Sequence, residues 1–192
     1  RGQIRRPDLR NHRKILVVDG REAYIGSHNL VAPDYDTPSY QKAGMLYDDT
    51  SVSVTGPIVA QIQAVFAVDW YYACKEVLTP EVLTPPDAQV ADEHDEEQAS
   101  AMQIIPSGPA FKGDPNLRAF VHMISSARTH VSITSPYFIP DEALMTALTN
   151  AALSGVTVEL FVSEQFDQFL VGHAQRSYYG PLLKAGVRIH LY

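Results

Sequence analysis

Residues 15–18 form an unbroken apolar run rich in β-branched side chains, followed at once by Asp19-Gly20 and then by Glu22, Ala23, Tyr24 and Ile25. Short apolar runs on either side of an Asp-Gly pair predict a β-hairpin. With no polar residue interrupting it, the first run predicts a strand buried on both faces. Residues 43–55 read as a further strand region. Gly56-Pro57 then opens a helix whose buried face carries Ile58, Ile62, Val65, Phe66 and Trp70.

From Val77 this pattern fails. Pro80, Pro85 and Pro86 precede Asp87, Asp92, Glu93, Asp95, Glu96 and Glu97 with almost no large apolar residues, which predicts a partly disordered linker. Order resumes as alternating units: strand 103–106, helix 117–127, strand 129–135, helix 141–154 with Asp141 as its cap and Gly155 as its stop, strand 156–162, helix 171–185 and strand 187–191. Helices between apolar strands imply crossover connections and a parallel or mixed sheet, so the fold class is α/β.

Charge and composition refine this picture. The chain of 192 residues carries a formal charge of -7, yet residues 1–30 hold seven Lys/Arg against three acids. A basic segment in an acidic protein suits an anionic ligand arriving at that end; for Arg1, Arg5 and Arg6, a solvated and partly disordered start is the plainer reading. The single cysteine, Cys74, excludes an internal disulfide. No apolar run approaches the roughly 20 residues needed to cross a bilayer. A start at Arg1 and an end at Tyr192, directly after an apolar segment, lead us to expect a piece of a longer protein.

The chemistry concentrates at the start of the hairpin. His12 and Lys14 are two apart, so in an extended strand they share a face and can converge on one small anion. The returning strand leads to Gly26-Ser27-His28-Asn29, where glycine permits close backbone approach and the Ser27 hydroxyl and Asn29 amide offer hydrogen bonds to oxygen. An imidazole can attack phosphorus while an ammonium and an amide bind the non-bridging oxygens. That inventory requires neither a metal nor a cofactor.

These residues, as H-x-K-x4-D followed by G-S-x-N, resemble the signature of the phospholipase D superfamily. The surroundings resemble bacterial cardiolipin synthases: Thr50-Ser51-Val52-Ser53-Val54-Thr55-Gly56-Pro57, Asp69-Trp70-Tyr71-Tyr72-Ala73, Ser107-Gly108-Pro109, Ile133-Thr134-Ser135-Pro136-Tyr137-Phe138-Ile139-Pro140-Asp141 and Ala185-Gly186-Val187-Arg188-Ile189. The resemblance implies transfer of a phosphatidyl group between two phosphatidylglycerol molecules through a phosphohistidine, with release of glycerol. It makes His12 the nucleophile, Lys14, Ser27 and Asn29 the phosphate-binding groups, and Asp19 the last member of the motif and an organiser of the hairpin. A carboxylate behind the imidazole is also implied, with Asp49 the candidate; Tyr47-Asp48-Asp49 stands where Trp-Arg-Asp is common, so Asp48 stays an alternative. Tyr137 and Phe138 are candidates for a lipid-facing mouth, and His173 is expected on a helix surface.

Such enzymes resemble two fused halves, each donating a His-Lys pair, but no second H-x-K occurs here: His28, His94, His122, His130, His173 and His190 are followed two places on by Leu30, Glu96, Ile124, Ser132, Gln175 and Tyr192. The expected organisation is the back of one half (1–76), an acidic linker (77–101) and the front of the next half (102–192). The hairpin would anneal to the second-half sheet within one chain, or by exchange in a homodimer that also pairs two His12 motifs. The implied partners are phosphatidylglycerol and, through the longer protein, the cytoplasmic membrane surface; no nucleic acid is expected. Alternatives are a phospholipase D-type hydrolase, a nuclease, or, for the isolated piece, a non-catalytic phosphate- or phospholipid-binding module.

Overall fold

The computed structural model describes residues 11–79, 83, 100–108, 111–165 and 169–192. The prolines and acids at positions 80–97, the arginines before Asn11 and Pro109 lie outside these residues. The chain divides into two units, Arg1–Ile104 and Ile105–Tyr192.

In the first unit three strands form an antiparallel sheet in chain order: β1 Lys14–Val18, β2 Glu22–Gly26 and β3 Ser51–Thr55. The β1–β2 turn closes through Arg21 N–H donating to the Val18 carbonyl at 3.0 Å. Both central residues, Asp19 (φ 52) and Gly20 (φ 64), are left-handed, as the mirror-image turn of a tight hairpin requires. Helix α2, Ile58–Cys74, packs on one side of the sheet. There Ile58, Val59 and Ile62 join Ala23 and Val54, flanked by Ile15, Val17 and Ile25.

Alternation along β1 sends Leu16 and Val18 the other way, where they are 56% and 41% exposed. The expectation of burial on both faces is thus corrected. A three-stranded antiparallel sheet with one helix has one covered side.

Between β2 and β3 the chain makes an excursion containing α1, Pro38–Ala43, which periodicity did not signal. Proline lies in its first turn, and Gly44 ends it by donating its N–H to the carbonyls of Tyr40 and Gln41. Of the strand region expected over 43–55, only Ser51–Thr55 is extended and paired.

In the second unit β4 His130–Thr134, β5 Thr157–Val162 and β6 Arg188–Leu191 are parallel, again in chain order. The helices are α3 Pro115–Ser126, α4 Glu142–Leu153, α5 Phe169–Ser177 and α6 Tyr179–Ala185. Asp141 caps α4 as expected, its carboxylate accepting from Leu144 N–H at 2.8 Å. Leu148, Val158, Leu160, Val162 and Leu182 centre the core. The α/β class read from the alternation holds.

Three expectations are corrected here. Residues 103–106 form no strand, although Ile104 packs on the first unit's core. The single helix expected over 171–185 is two, α5 and α6, meeting at Tyr178. Pro181 explains the break, because it has no N–H to donate to the preceding turn and sits comfortably only in the first turn of a new helix. Phe138 belongs to the core at 4% exposure rather than to a lipid-facing mouth, while Tyr137 beside it is exposed.

Strand pairing among the described residues joins β1, β2 and β3 only to one another and β4, β5 and β6 only to one another. No helix among the described residues is long and apolar enough to cross a membrane.

Candidate active site

The hairpin determines where its chemistry sits. Lys14 pairs with Gly26 as the last register of β1 and β2, so His12 and the segment 27–29 leave the sheet at the same open end. Lys14 Nζ donates to the His12 backbone carbonyl at 2.7 Å, which keeps the ammonium over the histidine that precedes it on the same face. His12 is exposed. Among the described residues its ring has no hydrogen-bond or ionic partner.

The neighbouring strand is fixed by a close approach at Gly26. A Cβ there would lie 2.3 Å from the Thr50 carbonyl oxygen and 2.6 Å from Ser51 Cα, both backbone atoms that cannot swing aside. Just beyond, Ser27 N–H donates to the Thr50 carbonyl at 2.9 Å, and Thr50 N–H donates to Ser27 Oγ at 3.0 Å. The Ser27 hydroxyl thus pins β2 to the approach of β3. Asn29 is engaged as well, its side-chain amide donating to the Tyr35 hydroxyl. The Tyr35 ring lies 4.7 Å from that of Tyr47, and the Tyr40 ring lies 6.0 Å from it. These three tyrosines, which sequence reasoning missed, tie the excursion after Asn29 back to the residues preceding Asp49.

Asp19 sits at the opposite end of the hairpin, four residues of strand beyond Lys14, where it shapes the turn. There too Glu22 accepts from the Tyr24 hydroxyl at 2.6 Å and from Ser53 Oγ at 2.8 Å. Those hydrogen bonds, that from Tyr24 foremost, hold the Glu22 carboxyl below its ordinary range; the same bond raises the Tyr24 phenol.

Asp49 and Asp48 part company. Asp49 is partly buried, with its Oδ2 3.9 Å from His28 Nδ1, whereas Asp48 is exposed. Arg13, between the two motif residues and on the opposite face, donates to Asp69 of α2 at 2.6 Å and anchors the start of β1 to the helix. Asp69, the single charged residue of α2, was the available signal for that contact. His173 is exposed on α5, and the shallow depression beside Asp141 and Glu142 is built wholly from α3, α4 and their approach, with no histidine or lysine in its lining.

Residues 120–192 match the family described as cardiolipin synthase, PLD-like domain. Over 186 residues, 96% of this chain and 35% of the relative, the sequence is 38% identical to the cardiolipin synthase of Geobacillus thermodenitrificans. Cardiolipin synthase A of Pseudomonas syringae pv. syringae is 41% identical over 185 residues, 96% of this chain and 36% of the relative. Cardiolipin synthase A of Serratia proteamaculans is 37% identical over 189 residues, 97% of this chain and 37% of the relative. The chain spans little more than a third of the length of these curated relatives.

Proposed function

Because the chain belongs to the phospholipase D-like family that includes these cardiolipin synthases, we propose that it provides one His–Lys half of a phosphatidyltransferase acting on phosphatidylglycerol at a membrane surface. The observation that carries this reading is the shared open end of the hairpin, with Lys14 Nζ held 2.7 Å from the His12 carbonyl and the His12 ring exposed.

In the proposed reaction an imidazole nitrogen of His12 attacks the phosphorus of one phosphatidylglycerol. The phosphorus–oxygen bond to its terminal glycerol breaks, and glycerol leaves with a proton from a second histidine, supplied by another half-domain. The free glycerol hydroxyl of a second phosphatidylglycerol, deprotonated by that same histidine, then attacks phosphorus. The nitrogen–phosphorus bond breaks, cardiolipin forms and His12 is restored. Lys14 neutralises the non-bridging oxygens; Ser27 and Asn29 hold the backbone that presents them and offer further hydrogen bonds. Asp19 serves through the turn it shapes, and Asp49, the expected carboxylate behind the His12 imidazole, has the His28 ring as its neighbour at 3.9 Å. With one His–Lys pair, this chain alone turns lipid over only when two copies bring their His12 residues together.

The test is incubation of phosphatidylglycerol labelled in its head group, in vesicles, with this chain and with the longer protein carrying both halves. Cardiolipin and free glycerol from the longer protein are expected. Phosphatidic acid would instead identify a hydrolase, and nicked DNA without lipid turnover a nuclease. Phosphate binding with no turnover would leave a binding module.

A further inference from the structure

The three strands at the open end bring a second imidazole to the site. In the β2–β3 register Gly26 lies opposite Ser51, and the Ser27–Thr50 hydrogen bonds carry that pairing one step further, so the next residues in line are His28 and Asp49. Their side chains bear this out, with His28 Nδ1 3.9 Å from Asp49 Oδ2. In the β1–β2 register Lys14 lies opposite Gly26, and two further steps along both strands lead to His12 and His28. Directly opposed residues of an antiparallel pair project to the same face. Continued past the paired residues, these registers set His12, His28 and Asp49 in one row across the open end.

We infer that His28 is an additional anion-contacting residue of the His12–Lys14 site, its ring positioned by Asp49. This rests on the phosphoryl-transfer reading above and adds a residue to it. Nδ1 is the ring nitrogen within ion-pair range of the carboxylate, at 3.9 Å, and Nε2, on the far side of the ring, is the one free for an incoming phosphate oxygen. The His28 side chain is 52% exposed and that of Asp49 19%, the arrangement of an accessible contacting group on a more buried support. The position between Ser27 and Asn29 thereby becomes part of how the site reads its ligand.

The experiment is a titration of this chain with inorganic phosphate, followed through the imidazole nitrogen signals of His12 and His28. Phosphate is expected to shift both rings. His28→Ala is expected to weaken phosphate binding about fivefold while the His12 response persists, and His28→Gln to restore part of the loss. Asp49→Asn is expected to change the tautomer signature of His28 before any phosphate is added, which a purely structural aspartate would not do. A phosphate response at His12 with none at His28 would overturn the inference and leave the phosphoryl-transfer reading standing. Silence at both rings would remove both.

Discussion

The side-chain oxygen of Gln175 accepts a hydrogen bond from the Phe138 backbone N–H at 2.7 Å in the interior of the second unit, where Gln175 has no exposed surface. Its amide nitrogen donates to the Tyr179 hydroxyl at 2.7 Å. One buried side chain thus ties α5 both to the segment after β4 and to α6. Replacing it leaves the Phe138 N–H without an acceptor, at a cost of about 1–3 kcal/mol, whereas shape alone would be nearly preserved by a hydrocarbon. Gln175→Leu is expected to lower unfolding stability by that amount in urea denaturation. A change under about 0.5 kcal/mol would show that the segment rearranges freely.

Gly26 and Gly44 provide a contrast in why glycine is needed. At Gly26 a methyl group meets backbone, 2.3 Å from the Thr50 oxygen; at Gly44 it meets nothing within 4 Å, but φ is 66. Gly44→Ala is expected to cost about 1 kcal/mol, the ordinary penalty of a left-handed alanine. Gly26→Ala should cost more, about 2–3 kcal/mol, and should pull β3 from β2. Amide exchange at Ser27 and Thr50 reports this directly, and equal protection in both variants would refute it.

Arg13 and Asp69 are expected to be coupled. Both side chains are about three-quarters or more buried, at 27% and 19% exposure, with a 2.6 Å contact. A double-mutant cycle with Arg13→Met and Asp69→Asn should yield an interaction of about 1 kcal/mol that shrinks in high salt. Simple additivity would mean that the contact does not hold β1 to α2.

Acid sensitivity should be visible at the turn end of the hairpin. The Glu22 carboxyl is held below its ordinary range by Tyr24 and Ser53, so whatever stability it contributes is present above its unfolded pKa and lost as pH falls through the lower folded value. Tyr24→Phe is expected to raise the Glu22 midpoint toward 4.5, the ordinary value, in a carbon-detected titration. An unchanged midpoint would assign the shift elsewhere.

For the proposed chemistry, His12→Asn in the longer protein is expected to abolish both turnover and the phosphorylated intermediate, and Lys14→Ala to reduce turnover by about a hundredfold or more. A phosphohistidine is recognised by lability to acid and survival in base after a quench with phosphate-labelled lipid. An acid-stable label would point to a different nucleophile.

Much of this was legible in the residues because local rules were strong. Asp19-Gly20 names its own turn, Asp141 its own cap, and the apolar runs at β4, β5 and β6 their own strands. The corrections arose where neighbours distant in sequence decide. Leu16 and Val18 read as buried because nothing in β1 reveals that only one helix covers its sheet. Phe138, beside Tyr137 and two prolines, reads as a surface aromatic until Gln175, 37 residues away, is seen to hold its backbone. In the candidate site, His12, Lys14 and the G-S-x-N segment were singled out by spacing, whereas the facing of Asp49 toward His28 depends on cross-strand register, which no single strand contains.

Among the described residues each strand pairs with its immediate neighbour in chain order, β1 with β2 and β2 with β3, then β4 with β5 and β5 with β6. During synthesis every strand after the first of its sheet therefore emerges from the ribosome with a partner already made. The hairpin bearing His12 can close while the second unit is still being translated, which keeps apolar edges briefly exposed and favours rapid, vectorial folding.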